Sequence, residues 1–283
     1  MLDPPLTVCP PPAGVTFETL TGLRRLIKRM LVNPLANHLP AGMVRGLLRF
    51  GKSELANANW SDPGGWKSMV ICYAAAPTYL ADRILVAGGS MPMALRNRRR
   101  LAARLLAELI DSAAASPVHV LCLGAGPGQI IVDALRQARA DSHATLVDLS
   151  SDAFDYGRSL ALRSGLGGRL RFIQSDVCHL RQYLRQTPHV VKMVGICEYL
   201  DDAQVAEITR AVAEVMPSGA SFVTNSLSAA HGTDRFFRRV FGLHMIHRSP
   251  EQLTRLMQPA GLTDFRVHPE PLGVYHVIVA RKA

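Results

Sequence analysis

The stretch Val118-His119-Val120-Leu121-Cys122-Leu123-Gly124-Ala125-Gly126-Pro127-Gly128 constrains the fold of this chain more than any other. A mostly apolar run stops at three glycines, and a helical pattern begins at once with Ile130-Ile131-Val132. Such a run predicts a parallel strand buried on both faces. Glycine lets the backbone turn sharply and come close to a ligand, and the helix that follows presents unpaired N–H groups at its start. Twenty residues after Gly128, a second apolar stretch, Ala144-Thr145-Leu146-Val147, ends in Asp148. An acid closing the second strand can accept hydrogen bonds from a ribose diol. The pair points to a nucleotide-like cofactor.

From residue 117 onward, predicted strands and helices alternate. The strands are 118–123, 144–148, 170–174, 190–196 and 219–225, and the helices between them 128–139, 151–164, 177–186 and 202–215. A helix at 250–260 precedes strands 264–268 and 274–280, whose link Pro269-Glu270-Pro271-Leu272-Gly273 is short enough to permit only an antiparallel pair. Five βα units and a terminal hairpin predict an α/β chain with an open, doubly wound sheet. Upstream, residues 1–15 are Pro-rich and read as loose, and 18–50 read as basic helices interrupted at Pro34 and Pro40. In them Leu20, Leu23, Leu26, Ile27, Met30 and Leu31 share one face. Residues 59–66 read as a loop, and helical patterns follow at 67–86 and 92–111. The expected division is a mostly helical N-terminal cap over 1–115 and a cofactor-binding domain over 116–283.

Charge bears on partners. The net charge is +10, and residues 1–115 hold 14 Lys/Arg against 7 Asp/Glu. A basic excess outside the glycine-rich unit suggests an anionic substrate, a membrane surface or nucleic acid. The five cysteines, Cys9, Cys72, Cys122, Cys178 and Cys197, form no CxxC pair and no metal spacing. They read as reduced core residues of a cytoplasmic protein with no metal site. No apolar run is long enough to predict a transmembrane helix, and the N-terminus lacks the pattern of a signal peptide.

The segment 117–283 resembles the class I S-adenosylmethionine-dependent methyltransferases, which have a Gly-rich first loop, an acid ending strand two and a reversed last strand. The resemblance implies a seven-stranded sheet and S-adenosyl-L-methionine as cofactor. It implies that Gly124, Ala125, Gly126 and Gly128 pass under the amino acid end of that cofactor, and that Asp148, with Leu149 beside it, binds the ribose. Asp176 would meet the adenine amino group, Val177 would pack on the ring, and Cys197 and Tyr199 would border the site after strand four. Plainer roles stand beside these: Asp148 and Asp176 can each cap the helix that follows. The spacing Gly-x-Gly-x-Gly departs from the dinucleotide pattern Gly-x-Gly-x-x-Gly, which disfavours a nicotinamide dehydrogenase. The Asn/Asp-Pro-Pro-Tyr/Phe motif of many base-methylating enzymes is missing after strand four, where the chain reads Gly195-Ile196-Cys197-Glu198-Tyr199-Leu200.

A weaker resemblance links Gly195 to Leu200, Asn225, the aromatic-rich 234–241 and Met245-Ile246-His247-Arg248 to bacterial methyltransferases associated with methyl esters of 3-hydroxy fatty acids. This chain departs from them with His247 in place of Tyr and Cys197-Glu198 in place of Phe-Asp. The implied substrate is a small molecule, anionic or lipophilic, methylated on the carboxylate or hydroxyl of a lipid-like or secondary metabolite. A carboxylate acceptor would need a clamp, for which Arg248, Asn225 and His247 are candidates. An alcohol or amine would want a base, for which Glu198, His231 or His247 could serve. Alternatively, Arg248 pairs with Glu251, and the histidines pack. Tyr73 and Tyr79 could reach the cofactor from the N-terminal part. The basic helix 20–31 reads as a lid, as a membrane-surface helix, or as a solvated face whose apolar side lies on the core. Arg98-Arg99-Arg100 read as a solvated helix face. An RNA methyltransferase is the alternative function, raised by the N-terminal charge and opposed by an aromatic content of 6% and the lack of an RNA-binding module. A non-methylating user of the fold, such as an aminopropyl transferase, is a third reading.

Overall fold

The computed structural model describes residues 5–184 and 186–283; residues 1–4 of the Pro-rich start lie outside the described residues. Eight strands form one sheet: β1 (Leu6–Val8), β2 (Val118–Leu123), β3 (Ser142–Asp148), β4 (Leu170–Gln174), β5 (Val190–Met193), β6 (Ser221–Leu227), β7 (Leu262–Pro269) and β8 (Tyr275–Lys282). Their order is β1-β7-β8-β6-β5-β2-β3-β4. Strands β2 to β6 pair in parallel, and β8 runs antiparallel between β6 and β7. This is the expected doubly wound sheet with a reversed terminal strand.

The sheet has eight strands, not the seven expected. Leu6, Thr7 and Val8 lie opposite Phe265, Arg266 and Val267, in parallel with β7. Three residues among prolines carry no periodic signal. The strand exists because β7 would otherwise leave an edge of unpaired backbone groups.

Alternation along the central strands explains why both faces are covered. Val118, Val120 and Cys122 of β2 share a core with the helices Ser90–Ser112 and Gln129–Gln137, whereas Leu121 and Leu123 join the opposite core with the helices Asp202–Val215 and Pro250–Met257. The last two helices start at capping boxes, Asp201 with Gln204 and Ser249 with Gln252. Each pairs the free N–H groups of a first turn with side-chain acceptors.

The helix Ser90–Ser112 belongs to the sheet as much as to the cap, since its Leu101, Leu106 and Ile110 pack with Val118 and Val120. Its arginine run is a solvated face only at Arg100, which is exposed. Arg96 pairs with Glu18, Arg98 with Glu198 and Arg99 with Asp133, and Arg98 is only 3% exposed. The cap itself comprises Ala41–Phe50, Glu54–Ser61, Trp66–Ala74 and the turn at Leu80–Ala87. Leu55, Cys72 and Leu95 pack there against Phe236, Phe241 and Tyr275.

Pro34 does not break the first helix. Gly22–Ile27 passes through a π-helical turn, Lys28–Val32, into Asn33–His38, where Pro34 occupies the first turn and its missing N–H is tolerated. The apolar side of this helix does not lie on the core; none of its residues is buried.

His119 on β2 is 2% exposed, and its Nε2 lies 2.9 Å from Thr145 Oγ1. Burial, with His143 nearby, pushes its pKa down to about 4. The unfolded chain therefore binds more protons than the folded one between that value and the ordinary value near 6.5. Stability should be full above about pH 6.5 and fall as the pH drops towards 4. Thermal melting across this window should show the decline, with a shallower slope in His119→Gln.

Candidate active site

A cavity of about 290 Å³ opens where the loops after β2, β3 and β5 meet the cap. Its floor is the glycine loop. Gly124, Gly126 and Gly128 all have positive φ, and a Cβ on Gly124 would lie 2.0 Å from the Ile196 side chain. The loop after β2 is thus pressed against the loop after β5, and only glycine fits there. At Gly126 the space is open, with Trp66 Cβ the nearest neighbour at 3.7 Å, so the backbone itself lines the cavity.

Asp148 closes β3 at the rim. Its Oδ2 accepts the Gly126 N–H at 2.7 Å, and its Oδ1 accepts the Ser150 N–H at 3.0 Å. It therefore tethers the glycine loop and shapes the chain ahead of the helix Ser151–Arg163. A carboxylate offers about four acceptor positions, which leaves capacity for a ribose diol.

The inner end of the cavity is ionic. Arg98 Nη1 donates to Glu198 Oε1 at 2.9 Å, with both side chains 3% exposed. Arg98 also lies 4.4 Å over the Tyr275 ring and donates to the Tyr73 hydroxyl at 3.4 Å. Gly195, at φ +93°, makes room for it, since a Cβ there would sit 3.2 Å from the guanidinium. Asn225 fixes this bend by accepting the Gly195 N–H at 2.8 Å. Glu198 Oε2 is buried with no hydrogen-bond partner among the described residues. Lys192 lies nearby, donating to the Gly124 carbonyl at 3.4 Å, and burial lowers its pKa. The remaining wall is mostly apolar, including Leu55, Met69, Leu95, Phe237, Leu243 and Met245.

Of the residues expected at the site, Gly124, Ala125, Gly126, Asp148, Glu198 and Tyr199 line this cavity. Gly128 sits behind them, against Leu146, at the start of the helix Gln129–Gln137. Cys197 is buried beneath, its thiol pushed up to about 12 by burial. Leu149 is 67% exposed, and Asp176 caps the turn Val177–His179 by accepting the Cys178 N–H at 2.9 Å. Leu149, Asp176 and Val177 lie beyond the cavity wall.

His247 and Arg248 are elsewhere, and a substrate clamp built from them finds no support. Arg248 donates to Asp202 and to the carbonyls of Cys197 and Leu200 at 2.6 and 2.7 Å. It holds the loop that carries Glu198. His247 Nε2 lies 3.3 Å from His231 Nε2 and 3.8 Å from Asp234. Among the described residues, no group of His, Cys, Asp and Glu is arranged to hold a metal. Tyr73 lines the cavity, whereas Tyr79 does not. Arg98 and Lys192 were missed from sequence, one within a basic helix and the other within an apolar strand.

Residues 120–219 match the family model of the methyltransferase domain. The chain carries a class I S-adenosylmethionine-dependent methyltransferase domain. A comparison with curated proteins finds no match. Among solved structures, the chain is similar to a possible exported protein from Bordetella parapertussis (17% identity, TM-score 0.61, 87% of this chain and 98% of that one). It also resembles an O-methyltransferase family protein from Burkholderia thailandensis (18% identity, TM-score 0.53, 80% and 68%). Human N-acetylserotonin methyltransferase, solved with S-adenosylmethionine, is a third (13% identity, TM-score 0.51, 67% and 54%). At these identities the structures speak for the fold.

S-adenosylmethionine is the cofactor of this methyltransferase domain, and the residues present fit it. The open cradle at Gly126 and the spare acceptor positions of Asp148 lie on one rim of the cavity. Asp148→Ala should weaken S-adenosylmethionine binding at least about tenfold, the scale of a lost charged hydrogen bond. Gly126→Val should abolish it. Titration calorimetry checks both, and unchanged affinity in both would remove the assignment. Arg248→Ala should lower stability by about 2–4 kcal/mol, because it strands buried carbonyls; urea unfolding measures this.

Proposed function

We propose that the enzyme transfers a methyl group to a hydroxyl of a small, largely apolar molecule, with Glu198 as the proton acceptor. One observation carries this reading: Glu198 offers a buried carboxylate oxygen without a partner at the wall of an apolar-lined cavity. An unpaired buried acceptor is unfavourable by itself, and a hydroxyl donor would satisfy it. A carboxylate substrate would instead meet a like charge.

When bound, S-adenosylmethionine supplies a methyl group on a sulfonium. Held at the rim by the Gly126 backbone and Asp148, the donor would give up that methyl group to the substrate oxygen and leave as the thioether. The hydroxyl proton passes to Glu198 Oε2. Arg98 positions the carboxylate from the helix Ser90–Ser112, and Arg248 holds its loop from below. The apolar wall excludes water, so alignment and desolvation supply much of the rate.

The long helix gives the RNA alternative no support. Arg96, Arg99, Arg100 and Arg104 pair with Glu18, Asp133 and Glu108, leaving no open basic stripe there. The reading is a lipophilic or secondary metabolite bearing an alcohol or phenol.

Glu198→Gln should keep S-adenosylmethionine affinity within about twofold while reducing kcat by about 10²–10⁴, the usual contribution of a general base. Turnover of labelled donor with a panel of apolar alcohols and phenols, beside calorimetry of the same variant, measures both. Unchanged kcat would exclude Glu198 from proton transfer.

A further inference from the structure

The first helix is amphipathic with its polar side turned inward. Lys28 donates to the Gly88 carbonyl, Asn33 to that of His231 and Asn37 to that of Gly232, while Asn37 Oδ1 accepts the Phe236 N–H. The helix is thus held to the body by its polar groups. Its apolar side faces out, with Leu23 69%, Leu26 56%, Met30 69% and Leu31 57% exposed. The next helix, Ala41–Phe50, also exposes apolar side chains, Met43, Leu47 and Phe50, the last 90% exposed. Gly51 at its end abuts Ala81, next to the exposed Leu80 and Ile84. Apolar exposure of this extent within about thirty residues of sequence points to an interaction surface.

Charge identifies what covers it. Residues 19–53 hold seven cations, Arg24, Arg25, Lys28, Arg29, Arg45, Arg49 and Lys52, and no Asp or Glu. Lys28 and Arg45 are spent on backbone carbonyls, and Arg49 lies over Trp60. Arg24, Arg25 and Arg29 are exposed on the first helix beside the apolar side chains, and Lys52 sits at the end of the second. A second copy of the chain would bring the same unbalanced cations face to face. An anionic bilayer instead neutralises them while its acyl region takes up the leucines, methionines and phenylalanine. Among the described residues, no helix is long and apolar enough to cross a membrane, which fits a helix lying in the interface.

We propose that residues 22–50 dock the protein onto the surface of an anionic lipid bilayer, with Leu23, Leu26, Met30, Leu47 and Phe50 entering the headgroup boundary and Arg24, Arg25, Arg29 and Lys52 meeting lipid phosphates. The proposal does not depend on the acceptor chemistry. It would, however, place the cavity beside a reservoir of apolar substrates.

The test is flotation of the full chain with vesicles of phosphatidylcholine alone and of phosphatidylcholine containing phosphatidylglycerol, together with light scattering of the lipid-free protein. Binding to the anionic vesicles should exceed binding to the neutral ones at least about tenfold and fall as salt rises, as screening of surface charge requires. The double variant Met30→Glu/Phe50→Glu should lose at least about tenfold in binding with an unchanged melting temperature, because both sites are exposed. Arg24→Gln/Arg25→Gln should lose the preference for anionic vesicles. Three results would overturn the proposal: no binding to anionic vesicles at low salt, equal binding to both vesicle types, or a stable dimer in solution that the Met30/Phe50 variant dissociates.

Discussion

The buried ion pair between Arg98 and Glu198 is the constraint on which the site depends. It joins the helix Ser90–Ser112, which packs along the sheet, to the loop after β5. Removing one partner of such a pair leaves an uncompensated buried charge, at about 3–5 kcal/mol. The surroundings are fitted to the pair. Gly195 lacks a side chain where the guanidinium passes, Tyr275 lies under its face, and Arg248 secures the loop that carries Glu198. The sheet provides a rigid floor and the helix Ser90–Ser112 provides a counter-charge, so Glu198 has a defined place at the cavity wall.

The two halves of the site have different physical origins. The rim assigned to the cofactor is backbone-built: glycines at positive φ, with Gly124 pressed against Ile196, and a carboxylate that braces them through the Gly126 N–H. Such a rim is determined locally, by the strand-loop-helix sequence around it. The acceptor side is built from side chains far apart in the chain. Leu55 and Met69 come from the cap, Phe237 and Met245 from the segment after β6. Shape and polarity there follow from how the cap packs.

That difference explains what could be read from the sequence. The spans of β2 and β4, the helix Asp202–Val215, the glycine loop and Asp148 all follow from short-range patterns. Arg98 could not be placed, because its partner lies 100 residues away and a charge in a basic helix reads as solvated. Lys192 is hidden in an apolar strand for the same reason. The strand β1 depends on an open sheet edge rather than on its own residues. The apolar stripe of the first helix is plain in the sequence, but its direction is set by Asn33 and Asn37 bonding to carbonyls about 200 residues away, and it faces outward. Arg248 stood in a motif that suggested substrate contact; its hydrogen bonds make it a brace for the loop that carries Glu198.

The most direct measurement is the identity of the product formed from paired acceptors, each apolar skeleton being offered once as the alcohol or phenol and once as the carboxylic acid, with isotope-labelled S-adenosylmethionine as donor. A Glu198 carboxylate paired with Arg98 through one oxygen, with the other oxygen open to a hydroxyl donor, predicts labelled methyl ethers from the hydroxyl members and little or nothing from the acids. Labelled methyl esters from the acids, with the alcohols inert, would contradict the account.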